Sequence, residues 1–230
     1  MSYCPKVLDD IADYLRKYQV GISEKVEGEG RGGSLKDEGS IKRALYEHEV
    51  FKHLIIDEAA RKFGDMIVLD YDKITRHPVN IKTSIGKTDN CFSKAGIVYA
   101  FTDIPDDEIP KSMNFNKMNT LIKTRGKDIP TRDYWFLCVD KLDSSNVLVR
   151  GAKQINCWTV NINPSNILQI NWSKEKLLPH KERSYDEALE VIMGGVKKSL
   201  NEFWKNIPDE WKEHNNTICS KILVDSDTNT

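Results

Sequence analysis

Residues 64–84 read GDMIVLDYDKITRHPVNIKTS, and the fold turns on this stretch. Met66 to Tyr71 is rich in apolar and β-branched residues. Asp72 to His77 forms a polar turn, and Pro78 to Ser84 is a second β-prone run. Two strands and a turn make a hairpin. Side chains at 80 and 82 share one face of the second strand, because successive residues alternate. The hairpin brings Asp65, which opens the first strand, beside Asn80. A carboxylate, an amide carbonyl and the Lys82 ammonium thus converge. Oxygen groups of this kind suit a hard divalent cation, and a cation beside a lysine can polarise a phosphodiester and activate water. The spacing alone leaves a plainer reading open: Asp65 caps the turn after a helix, and Asn80 and Lys82 line a solvated strand face.

Outward from the hairpin, residues 40–63 carry Leu45, Val50, Phe51, Leu54, Ile55, Ala59 and Phe63, an apolar face predicting one helix ended by Gly64. Residues 21–39 hold six of the thirteen glycines among mixed charges and are expected to form a loop, either a mobile surface loop or one that contacts DNA. Residues 3–20 predict a first helix through Val7, Leu8, Ile11, Ala12, Leu15 and Tyr18. On the other side, residues 111–132 are polar and basic. Tyr134–Asp140 (YWFLCVD) reads as a strand, as do Asn146–Arg150, Ile155–Ile162 and Ile167–Trp172. A second basic stretch, SKEKLLPHKER, fills 173–183. A last helix starts at Ser184 with Glu187 completing a capping box; Gly194 and Gly195 weaken its middle by about 1 kcal/mol each.

The chain has 230 residues, 39% of them hydrophobic, and a formal net charge of −1. That length suits one domain, divided as about 1–105 with the N-terminal helices and hairpin, about 106–215 with further strands, basic loops and the terminal helix, and a tail over 216–230. No run is long and apolar enough for a membrane span, and no secretory signal is visible. The five cysteines are widely spaced, with no CxxC pair, which argues against a zinc site or a disulfide framework and for a reducing cytoplasm. The net charge neither supports nor excludes DNA, because an acidic metal site offsets basic patches elsewhere. Gly86-Lys87-Thr88 is no P-loop, since Ile81 stands where that motif needs a glycine. The five histidines show no metal-ligand spacing.

An acid followed by (D/E)-x-K on a hairpin is the active-site signature of the PD-(D/E)XK nucleases. The stretch PVNIKTS resembles its second half in the N-x-K variant found among restriction enzymes. The preceding segment, Glu49-Val50-Phe51…Ile55-Ile56…Ala60-Arg61-Lys62-Phe63-Gly64, is similar to EcoRV-type enzymes, as is the following Gly86-Lys87-Thr88-Asp89-Asn90 with Phe92-Ser93-Lys94-Ala95-Gly96. The likeness covers roughly residues 40–105; the rest matches in layout alone. It departs from the pattern at Gly64, where a proline is usual, and at Asn80, where an acid is usual.

The resemblance implies an α/β, restriction-endonuclease-like fold, a central mixed β-sheet flanked by helices. It implies a type II restriction endonuclease hydrolysing double-stranded DNA at a short palindromic site with Mg2+, as a homodimer in a prokaryotic cytoplasm, with a cognate methyltransferase encoded nearby. Asp65, Asn80 and the Ile81 backbone would hold the metal, Glu49 (or Glu47) would approach it from the helix, and Lys82 would assist the nucleophile. Candidate DNA contacts are Lys87, Thr88, Asn90, Ser93, Lys94, Lys123, Arg125, Asn163, Asn166, Gln169, Lys174, Lys181 and Arg183: cations for phosphates, amides for base edges. Two alternatives remain open: a repair or junction nuclease indifferent to sequence, and a non-catalytic nucleic-acid-binding module of the same fold.

Overall fold

The computed structural model describes residues 4–22, 31–57, 64–84, 89–91, 93–110, 112–160, 168–207 and 209. Helix α1 (Lys6–Tyr18) buries Val7, Leu8, Ile11, Ala12 and Leu15 along one stripe, the 3.6-residue periodicity of its sequence. Helix α2 runs Arg31–Glu47 and buries Ile41, Ala44 and Leu45. It begins inside the glycine-rich stretch expected to be a loop and ends well before residue 63. His48 terminates it: the imidazole Nδ1 accepts from the Val50 and Phe51 backbone N–H groups at 3.3 and 3.4 Å. A 3-10 turn (Phe51–His53) and strand β1 (Ile55–Asp57) follow. One long helix over 40–63 is therefore corrected; the β-branched Ile55-Ile56 pair joins the sheet instead.

Strands β2 (Met66–Leu69) and β3 (Arg76–Ser84) form the expected hairpin, Met66 opposite Val79 and Leu69 opposite Arg76. Strand β5 (Trp135–Asp140) lies parallel to β3, and β6 (Val147–Gly151) antiparallel to β5. With β1, these make a five-stranded mixed sheet in the order β1-β2-β3-β5-β6. A parallel pair needs a crossover, and it runs through β4 (Asp89–Cys91), α3 (Lys94–Phe101) and α4 (Phe115–Arg125). Helix α3 is apolar all round and buried from Ala95 to Phe101. In α4, Asn114 caps the first turn by accepting from Lys117 N at 2.8 Å, and Met118 and Ile122, one turn apart, face inward. A second, antiparallel sheet, β4-β8-β7, adds β7 (Trp158–Val160) and β8 (Leu168–Asn171). A short helix α5 (Trp172–Glu175) and the long α6 (Tyr185–Lys205) complete the chain. The capping box at Ser184 and Glu187 is present. Gly195 has a packing reason: a Cβ there would come within 2.8 Å of Leu168 Cδ2, so α6 lies close on β8.

The large sheet separates two apolar cores. One holds α1 and α2 against Val79, Ile81, Trp135, Leu137 and Val139. The other holds α3, α4, α6 and the small sheet against Tyr134, Phe136 and Cys138. The protein is thus mixed α/β, with a five-stranded mixed sheet flanked by helices. Among the described residues, no helix is long and apolar enough to cross a membrane.

Candidate active site

The hairpin sets Asp65 at the start of β2 against β3, with the Lys82 charge acting on its carboxylate. The Asp65 N–H donates to Val79 O at 2.9 Å, continuing the ladder one residue past β2. Gly64 lies against the same strand, and a Cβ there would sit 3.3 Å from Val79 O. Beyond that point the Asp65 side chain replaces backbone as partner: the Ile81 N–H donates to Asp65 Oδ2 at 2.7 Å. The N–H and C=O of one strand residue point to the same neighbour, so the Ile81 carbonyl faces the Asp65 side as well.

Asn80 and Lys82 lie on the opposite face from Val79 and Ile81, in register with Phe136 and Cys138 of β5. The fully buried Tyr134 phenol lies near the Asn80 side chain. Asn80 Oδ1 is buried and has no hydrogen-bond partner. A buried carbonyl without a donor costs about 1–3 kcal/mol, and a cation would remove that cost.

The Asp65 carboxyl is held above its ordinary value. Burial is the main cause and the nearby Glu38 charge adds to it; Lys82, the Ile81 N–H and Lys42 oppose. Glu38 lies on α2, where Lys42 pairs with it at 3.0 Å and with Asp57 at 3.3 Å. Lys42 Nζ also donates to the Asp65 backbone carbonyl at 2.8 Å. Helix α2 is thereby tied to the first residue of the hairpin. The oxygens of Asp65, Asn80 and Ile81 fit Mg2+, which is commonly held by one or two carboxylates and retains several waters. Among the described residues, no three His, Cys, Asp or Glu side chains form a metal-binding group by themselves.

Glu49 is not part of this arrangement. It lies on the turn after α2, 86% exposed and paired with Lys52 at 2.6 Å, because the helix stops two residues before it. The fallback Glu47 accepts from the Tyr18 hydroxyl at 3.2 Å on an exposed surface. Glu38 is the helix acid whose charge reaches Asp65. It was hidden in sequence by the glycines around it, although Glu38 and Lys42 stand at an i,i+4 pairing distance.

The expected DNA contacts divide. Lys87, Thr88, Asn163 and Asn166 lie outside the described residues, and Asn90 is described through its backbone, which pairs with Ile170. Ser93 is the half-buried N-cap of α3, without a side-chain cap bond. The half-buried Lys94 has its pKa lowered by burial. Lys123, Lys174 and Lys181 are exposed. Arg125 pairs with Asp103 at 2.7 Å, and Gln169 sits mid-strand opposite Cys91 and Thr159. Arg183 is corrected: it is buried and donates to Lys153 O, Ile155 O and Asn156 Oδ1 at 3.2, 3.1 and 2.7 Å. Its guanidinium braces the turn before α6 and cannot also meet a phosphate.

Neither a family model nor a curated protein matches this chain.

Proposed function

We propose that this protein is a magnesium-dependent endonuclease of the restriction-endonuclease-like fold, hydrolysing double-stranded DNA at a short palindromic sequence. The observation that carries the reading is Asp65 at the end of one hairpin, its carboxylate accepting from the Ile81 N–H and acted on by the Lys82 charge, with the donorless carbonyl of Asn80 on the same strand as Ile81 and Lys82. Asp65, Asn80 Oδ1 and the Ile81 carbonyl would hold Mg2+. The bound ion would polarise the scissile phosphate and acidify a coordinated water. Lys82 orients the attacking water and offsets negative charge on the phosphoryl oxygens as the transition state forms. The water oxygen bonds to phosphorus as the P–O3′ bond breaks. The water proton passes to solvent and the 3′ oxygen gains one, leaving 5′-phosphate and 3′-hydroxyl ends. Exposed Lys123, Lys174 and Lys181 supply phosphate contacts that position the duplex. One chain cuts one strand, and a twofold homodimer cuts both strands of a palindrome. Such an enzyme would work in a prokaryotic cytoplasm beside a methyltransferase protecting the same site.

A second reading, a nucleic-acid-binding module that keeps the fold without catalysis, is favoured by one observation: the neutral Asn80 leaves Asp65 as the single carboxylate of the ligand set. Digestion of unmethylated DNA with Mg2+ separates the two, comparing the natural protein with Lys82→Ala. Discrete fragments from the natural protein alone are expected. A smear points to a nuclease indifferent to sequence. Intact DNA with both proteins across a range of Mg2+ and Mn2+ refutes the endonuclease and leaves the binding module.

A further inference from the structure

We propose that the Lys42 ammonium is a built-in second cation: it fills a place beside Asp65 that a second divalent ion could take, so that the site binds one Mg2+ per chain. This rests on the reading of Asp65, Asn80 and Ile81 as the ligands of the first ion. Sites that cleave phosphodiesters often use two metal ions, the second offsetting charge on the leaving oxygen. A fixed ammonium supplies positive charge without recruitment from solution. It also keeps a free ion away from the oxygens it holds.

The geometry is that of a held cation. An ammonium carries three N–H donors and no acceptor, and three oxygens surround this one. The Asp65 backbone carbonyl accepts from Nζ at 2.8 Å. Glu38 Oε1 lies at 3.0 Å and Asp57 Oδ1 at 3.3 Å. The oxygens come from α2, β1 and the start of the hairpin, so tertiary structure gathers them and not helix spacing alone. The Lys42 side chain is 18% exposed, which keeps most screening water from the ammonium. Burial acts to lower its pKa, but Glu38 and Asp57 outweigh it, so the charge is kept at any working pH. Asp65 links the two cations. Its backbone carbonyl meets Lys42, and its carboxylate, which accepts from the Ile81 N–H at 2.7 Å, is the proposed ligand of Mg2+. Two carboxylates and a carbonyl are hard oxygen donors of the kind that Ca2+ and Mg2+ prefer. Without the ammonium they would face one point with their charge uncompensated.

The test is calorimetric titration of the full chain with Ca2+ alone, for the natural protein, Lys42→Met and the double variant Lys42→Met with Asp57→Ala, with melting curves to establish that each is folded. Methionine ends at the carbon position that bears the ammonium, so it vacates the place of Nζ and little else. The natural protein should bind one Ca2+ per chain, Lys42→Met two, and the double variant one again. A lysine that only ties helix to hairpin would change Tm and leave the count at one. Two ions in the natural protein overturn the inference and leave the metal reading intact, as does an unchanged count in Lys42→Met. A second ion that survives in the double variant overturns it too, since that ion sits elsewhere. If the folded natural protein binds none, the metal reading fails; the inference then stands if Lys42→Met gains an ion and falls if it does not. Should Lys42→Met fail to fold alone, its recovery on adding Ca2+ decides, because an ion bound to the folded state favours folding. Recovery that the double variant lacks supports the inference. No recovery, or equal recovery in both, overturns it.

Discussion

Replacing Lys42 with methionine tests the tie between helix α2 and the hairpin. Methionine keeps most of the apolar stem and removes the ammonium. Three interactions go with it: the bond to Asp65 O at 2.8 Å and the ion pairs to Glu38 and Asp57 at 3.0 and 3.3 Å. The lysine side chain is 18% exposed and that of Glu38 25%, while Asp57 is 57% exposed. A hydrogen bond from a charged donor contributes about 1.5–3 kcal/mol. The Asp57 pair is exposed enough to contribute little. Glu38 loses its partner in a partly buried setting, a cost below the 3–5 kcal/mol of a fully buried pair. Removing the desolvation of the ammonium offsets part of this. The expected net loss is about 2 kcal/mol, or roughly 4–8 °C in Tm for a chain of this size. Burial acts to lower the Lys42 pKa, but Glu38 and Asp57 outweigh it and the net direction is upward. A raised folded-state value means that the stabilisation is complete below the ordinary 10.5 and is lost as pH rises through the folded-state value. Urea unfolding at pH 7 and at strongly alkaline pH measures both effects. A pH 7 difference under about 0.5 kcal/mol, the size of an ordinary surface substitution, would refute the tie.

Asp65→Asn should abolish Ca2+ binding yet raise Tm at pH 7. The raised carboxyl pKa means that the folded state binds the proton more readily than the unfolded state, so charge at this position costs stability that returns as pH falls; a lower Tm would contradict this. Glu38→Gln removes a charge that pushes the Asp65 pKa up, so the pH midpoint of Ca2+ binding should move toward acid, whereas Glu49→Gln should leave it unchanged. An equal response of the two variants would reject Glu38 as the helix acid. In α6, Gly194→Ala meets nothing within 4 Å and should gain about 0.5–1 kcal/mol. Gly195→Ala should gain less or lose, because its Cβ meets Leu168; chemical denaturation ranks them.

Much of this architecture is legible in the sequence where local and tertiary preferences agree. The first helix, the 66–84 hairpin, the YWFLCVD strand and the capped last helix all stand within a few residues of their expected places. The failures have physical causes. Helix α2 begins at Arg31 despite Gly32, Gly33 and Gly39, whose unfavourable propensity is overridden by burial of Ile41, Ala44 and Leu45. Asp37, 1% exposed, adds an ion pair to Lys141 that no local pattern announces. The apolar run 50–56 has helical spacing, yet the His48 cap ends the helix and Ile55-Ile56 enter the sheet. That displacement leaves Glu49 exposed beside Lys52, while the charge of Glu38, earlier on the helix, acts on Asp65. Strand β4 was unreadable because its residues, Asp89, Asn90 and Cys91, become a strand through pairing with β8. The role of Arg183 was misread because a basic stretch carries no sign of which cation is turned inward.

Strand β5 divides its residues between the two cores. Trp135, Leu137 and Val139 pack toward α1 and α2, while Tyr134 just before it, with Phe136 and Cys138, packs toward α3 and the small sheet. Six consecutive positions therefore answer to two separate sets of neighbours. Substitutions accumulating among the even-numbered residues need compensation on the Asn80 and Lys82 face and none across the sheet. A lineage could rebuild the small sheet and its helices, changing what is bound, while the N-terminal half keeps its packing and its acid. The strand acts as a partition across which the two halves of the molecule can diverge at different rates.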